Sequence, residues 1–110
     1  MRRDMNLVKQ ILLNIEKNLK EENLDSYMEQ DILNHKGLLI ENGFINGVIH
    51  HNSESFERVI DGVIINNLTW QGYDLIDILK DESKFEMIKN LGKNISSEVL
   101  KIALTNVINS

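Results

Sequence analysis

The run Val63-Ile64-Ile65-Asn66-Asn67-Leu68-Thr69-Trp70-Gln71-Gly72-Tyr73-Asp74 decides the fold, because the chain changes its periodicity inside it. From Arg58 to Leu68 the residues are β-branched and apolar, the composition of a strand. Thr69 is a good N-cap, and after it Leu75, Ile76, Ile78 and Leu79 fall at helical spacing. A strand therefore runs directly into a helix expected over 70–80.

Upstream, Phe44 to His50 is again rich in Ile, Val and Phe and reads as a second strand, with a polar stretch from His51 to Glu57 between the two. The two strands, near 44–50 and 58–68, form a hairpin. Asp61-Gly62 between apolar pairs is a type I′ turn signal, so the later strand is expected to bend there. Farther upstream, Leu7, Val8, Ile11, Leu12, Ile15 and Leu19 line one face of a helix over about 4–19, capped by Asp4. Ser26-Tyr27-Met28-Glu29 has the form of a capping box and opens a helix over about 27–42. Gly43 follows as its left-handed C′ residue, with Phe44 placed for the closing apolar contact. Gly37 weakens that helix by about 1 kcal/mol relative to Ala and marks a place where it could break. Leu24-Asp25 could add a very short strand or bridge.

Downstream, Ser83-Lys84-Phe85-Glu86 repeats the capping-box form and opens a short helix ended by Gly92. Val99, Leu100, Ala103, Leu104, Val107 and Ile108 make an apolar stripe on a last helix. The reading is an α+β fold in the order helix, helix, strand, strand, helix, over residues 1–82, with a helical C-terminal extension over 83–110. That order is the layout of a winged helix, the hairpin being the wing.

The chain of 110 residues allows one domain and a short extension. Its formal charge of −5 excludes a generally basic nucleic-acid binder. With no cysteine there are no disulfides, thiolate nucleophiles or Cys-ligated zinc. No apolar run approaches the roughly 20 residues of a membrane span, and no signal-peptide core follows Arg2-Arg3, so a cytoplasmic protein with no membrane partner is expected. Ile, Asn and Lys together supply 38 residues, a bias that dilutes the meaning of any single Asn or Lys.

Two stretches resemble a known family. Met1-Arg2-Arg3-Asp4-Met5-Asn6-Leu7-Val8 with Ile11-Leu12-Leu13 and Ile15-Glu16 is similar to the opening of the uncharacterised bacterial and phage family called domain of unknown function 2513. The run from Val63 to Asp74 resembles that family's signature, and His35, Leu38-Leu39 and Gly43-Phe44-Ile45 resemble its middle segment. The likeness spans about residues 1–82. It implies a winged-helix fold and a frequent prophage setting, and brings no established activity or catalytic residues. The positions before Leu-Thr-Trp, often basic in that family, are Asn66-Asn67 here, which removes positive charge from the base of the wing.

The residues that carry chemistry read mostly as structural. His50 and His51, beside Glu54, could ligate a metal, but adjacent strand residues point to opposite faces, so no metal site is expected. His35 reads as a packing or capping histidine. Asp74, Asp77 and Asp81 share a solvated helix face, and no catalytic motif, phosphate loop or cofactor signature is present. Trp70 is expected to pack the third helix against the hairpin. The protein is read as non-enzymatic, without cofactor or metal.

Two function classes follow. Fold analogy favours a DNA-binding or regulatory module, with Arg2, Arg3, Lys9, Lys36 and Arg58 as the candidate contacts to duplex DNA. Charge favours an acidic protein-interaction module on the same scaffold. The stretch 27–42 has Lys36 against Glu29, Asp31 and Glu41, and 51–62 has Arg58 against Glu54, Glu57 and Asp61, so duplex binding is expected to be weak. A homodimer through the C-terminal helix is also expected, centred on Leu100, Leu104 and Val107.

Overall fold

The computed structural model of the chain describes residues 3–18, 21–52 and 59–92. Helix α1 (Met5–Glu16) starts where Asp4 caps it: one carboxylate oxygen accepts from the N–H of Asn6 at 2.9 Å and of Leu7 at 3.3 Å. The apolar face read from the spacing is buried, with Leu7, Val8, Ile11 and Leu12 all closed off from water. The helix ends at Glu16 and not near Leu19, because Asn18 takes a left-handed φ of 55° and turns the chain.

Helix α2 (Glu29–Glu41) begins two residues later than the capping box implies. Ser26 lies in a turn in which the Tyr27 N–H donates to the Leu24 carbonyl at 3.0 Å. Met28 holds the N-cap position with no side-chain bond, and Glu29 is the first helical residue, so the reciprocal Ser–Glu pair cannot form. Leu24-Asp25 forms no strand; Leu24 is instead buried in the core. The helix runs unbroken through Gly37, which faces the hairpin: a β-carbon there would overlap the Ile60 side chain. At the far end Gly43 has φ +79°, the Phe44 N–H donates to the Leu39 carbonyl at 2.9 Å, and the Gly43 N–H donates to that of Ile40 at 3.1 Å. This is a Schellman closure, as the Gly-Phe pair suggested.

Strands β1 (Ile45–His51) and β2 (Ile60–Leu68) pair antiparallel, from Ile45 opposite Leu68 to His51 opposite Ile60. Asp61-Gly62 is not a two-residue turn, but β2 is irregular there, where the composition predicts a bend. His50 faces Gly62 while His51 faces Ile60, so Asp61 is the extra residue of a bulge within β2. Asn66 is a second one, because Asn46 faces Asn67 while Gly47 faces Ile65. One hairpin face, with Ile45 buried and Ile49 and Ile65 half-buried, turns toward the helices. Val48 and Ile64 stand opposite each other on the other face, in solvent.

Helix α3 (Trp70–Lys80) follows β2 after one residue. The Thr69 hydroxyl oxygen accepts from the Gly72 N–H at 3.0 Å and its O–H donates to the Gly43 carbonyl at 2.6 Å, so one side chain caps α3 and ties it to the end of α2. Gly72 lies against the Phe44 carbonyl so closely that no β-carbon would fit. Helix α4 (Glu82–Gly92) is capped by Asp81, whose carboxylate accepts from the Lys84 N–H at 3.1 Å. Ser83, the expected cap, sits inside the helix. The core gathers Leu7, Leu12, Leu39, Ile45, Ile76, Leu79 and Ile88, so α4 shares the core of the preceding elements. No described helix is long and apolar enough to cross a membrane. Among the described residues the architecture is α+β, four helices with a two-stranded antiparallel sheet.

Candidate functional site

A cleft of about 540 Å³ opens between the C-terminal half of α1 and the end of β2. The helix contributes Ile11, Asn14 and Ile15, and Asn18 continues the same face, the i, i+3, i+4, i+7 spacing of a single stripe. The strand contributes the four consecutive residues Ile65, Asn66, Asn67 and Leu68. Leu24 closes the floor, and Tyr73 from the first turns of α3 stands at one side.

The polar groups of the cleft are largely engaged. Asn14 is buried; it takes a hydrogen bond from Gln10 and donates to the Glu22 carbonyl, both at 2.8 Å. Asn67 accepts from Asn46 at 2.8 Å across the hairpin. Lys36 pairs with Glu21, and Lys80 reaches Glu16 at 2.8 Å. The charges at the rim thus cancel in pairs, leaving a wall of amides over an apolar floor.

Of the candidate DNA contacts, Arg3, Lys9 and Lys36 lie among the described residues, each in a different setting. Arg2 and Arg58 lie outside the described residues, as do Leu100, Leu104 and Val107. Lys9 lies over the Phe85 ring at 4.6 Å, a cation–π contact. The Lys36 side chain is only 12% exposed and points to Glu21. Arg3 borders a second cavity, of about 430 Å³, at the start of α1, where burial lowers its pKa from the ordinary value. In the same cavity burial raises the Tyr27 phenol, and the Asp4 charge raises it further. On α2 the exposed charges are Glu29, Asp31 and Glu41, so its solvent face is acidic.

His35 is a buried capping residue. Its Nε2 accepts from the Asp4 N–H at 2.9 Å, and Nδ1 lies 2.7 Å from the Asp31 carbonyl, to which it donates in the tautomer that satisfies both bonds. Asp74 and Asp77 are exposed on α3. Asp81, also exposed, lies past the end of that helix and caps α4, so it does not share their helix face. His50 faces solvent and lies 3.5 Å from Asp61. Among the described residues no group of three or more His, Asp or Glu is placed to hold a metal ion.

Trp70 overturns the expectation set for it. It is 88% exposed and packs against no part of the hairpin core. The reason is angular: Gly72 must face Phe44, and Trp70, two residues away, is roughly 200° around the helix. Tyr73, three residues on, is its neighbour on the same side and is half exposed. The cleft itself was missed by sequence reading. Asn14 and Asn18 were its signal, since they extend the apolar stripe of α1 with amides.

A family model described as "Hypothetical protein (DUF2513)" matches residues 2–98, and the chain belongs to that family. No curated protein and no solved structure matches it.

Proposed function

We propose that this member of the family is a non-catalytic protein-interaction module on a winged-helix-like scaffold, and that it does not act by reading duplex DNA. The order helix, helix, hairpin, helix supports the winged-helix assignment, with β1 and β2 as the wing and α2 as the element that would enter a groove. A phage or prophage origin, which the resemblance implies, belongs to the same proposal.

The observation that carries the reading is the exposure of Trp70 on the same side of α3 as Tyr73, the residue that lines a charge-balanced cleft. A soluble protein can carry isolated apolar residues on its surface without consequence. A nearly bare indole one turn from a half-exposed phenol that itself lines an apolar-floored cleft is a different matter, because aromatic residues of this kind anchor protein contacts. DNA reading needs lysines and arginines aimed at phosphates. Here Lys36, Lys80 and Lys89 each have a carboxylate partner, and the solvent face of α2 is acidic.

The test is a pull-down from the host with the full chain, protein and nucleic-acid fractions analysed separately, beside a gel shift at physiological salt. The expected result is retention of protein that is lost in the Trp70→Ala, Tyr73→Ala double variant, and no duplex binding tighter than roughly micromolar. Sequence-dependent retention of DNA in the nanomolar range overturns the reading.

A further inference from the structure

The shape of the cleft says more than its existence. In a strand, successive side chains alternate between faces, so a pocket lying on one face is lined by residues two apart. Ile65, Asn66, Asn67 and Leu68 line this cleft without a gap. The Asn66 bulge breaks that alternation locally, but the lining includes no residue of β1, so the cavity runs along the edge of β2 that faces away from β1. Opposite that edge runs the stripe of α1 that carries Ile11, Asn14 and Ile15. The cleft is therefore a slot between a helix and a strand edge.

Among the described residues that edge is unpaired: their sheet has two strands, and β1 occupies one side of β2. The chain's own candidate for the other side, Leu24-Asp25, is drawn into turns and forms no strand. Asn66, as a bulge residue, faces no residue of β1. An open edge presents backbone donors and acceptors that a further strand can pair with.

We propose that the slot takes a short extended segment of a partner protein, uncharged and apolar at alternate positions, as a third strand on the free edge of β2. Strand addition of this kind gains affinity from main-chain hydrogen bonds and specificity from the side chains that point into pockets. This proposal rests on the protein-interaction reading and names its partner chemistry.

The lining selects that chemistry. Glu16 and Glu21 are balanced by Lys80 and Lys36, so a charged segment would have to break an existing pair to find a counter-ion. An uncharged one meets the amides of Asn14, Asn66 and Asn67 and the floor of Ile11, Ile15 and Leu24. Every second side chain of the segment would face that floor, and the others would face outward. The edge offers four residues, which at roughly 3.3 Å each pairs with about four residues of ligand. A proline among them would remove a ladder bond.

The test is selection of a displayed library of short random peptides on the immobilised full chain, followed by backbone-amide NMR with the enriched peptides made synthetically. Enriched peptides should alternate apolar with uncharged polar residues, shift the amides of 65–68 and of Ile11 and Ile15, and slow hydrogen exchange along the β2 edge. N-methylation of alternate peptide amides should weaken binding at least tenfold in one register and hardly at all in the other, since only one set of N–H groups faces β2. Tyr73→Ser should weaken binding without unfolding the chain. Equal tolerance of both N-methyl registers, shifts confined to Val48, Ile64 and Trp70, or no enrichment at all each overturn the proposal. A host protein retained through Trp70 while 65–68 stay unmoved would uphold the interaction reading and overturn strand addition alone.

Discussion

The backbone N–H of Asp4 donates to the Nε2 of His35 at 2.9 Å, joining the first residue of one helix cap to the middle of a helix 31 positions later. The same Asp4 turns its carboxylate onto the N–H groups of Asn6 and Leu7. One residue thus caps α1 with its side chain and is itself held by a ring from α2. His35 is nearly inaccessible at 1% exposure, and its other nitrogen is engaged by the Asp31 carbonyl.

Replacing this ring should therefore cost more than a surface change. His35→Ala leaves the Asp4 N–H without its acceptor, about 1–3 kcal/mol, and opens a cavity beside Leu7. Urea unfolding of the variant is expected to show a loss of about 2–4 kcal/mol at an unchanged m-value. A loss below about 0.5 kcal/mol would mean that the bond does not hold the two helices together.

Two glycines should respond differently to the same methyl. At Gly72 the added carbon meets the Phe44 carbonyl, which is backbone and also accepts from the Thr69 N–H, so the helix–hairpin joint must move. At Gly37 it meets only the end of the Ile60 side chain, which can rotate away. Gly72→Ala should destabilise by about 1–3 kcal/mol despite the better helix former. Gly37→Ala should be near neutral, because the gain of about 1 kcal/mol in helix propensity offsets the repacking. Thermal unfolding of both variants checks the order, and a Gly37 variant less stable than the Gly72 one contradicts it.

Trp70→Ala should leave stability within about 0.5 kcal/mol of the parent, the range of surface substitutions. As the only tryptophan, Trp70 also reports on itself. Its fluorescence should be that of a water-exposed indole and should be readily quenched by iodide. A loss of 2 kcal/mol or more, or a quencher-protected signal, would place the ring in a packed site instead.

The C-terminal stripe at Leu100, Leu104 and Val107 lies outside the described residues, and its prediction comes from the sequence. Lys101 is the only charge between Val99 and Ser110, so an uncovered stripe there would be an apolar patch that soluble monomers rarely carry. Light scattering is expected to give a dimer for the full chain and a monomer for a chain ending at Lys93. A monomeric full chain refutes it.

The elements of this protein are legible from the sequence wherever the signal is local. The face of α1, the Asp4 and Thr69 caps, the Gly43-Phe44 closure and the existence of the hairpin each depend on residues within a few positions of one another. Where two local signals compete, the sequence does not choose. Ser26 and Ser83 both satisfy the capping-box pattern, yet the chain starts its helices at Glu29 and Glu82, one with no side-chain cap and one capped by Asp81. Asp61-Gly62 has the composition of a turn and becomes a bulge, because pairing with His50 and His51 sets the register and leaves Asp61 over. Trp70 is apolar enough for a core and lies in water, since the close approach of Gly72 to Phe44 fixes how α3 is rotated. The cleft is wholly tertiary: Ile11 and Ile65 are half the chain apart, and only packing brings a helix face and a strand edge together. Short-range hydrogen bonding and periodicity can be read from neighbouring residues. Register, helix rotation and the space left between elements depend on partners that local sequence does not specify.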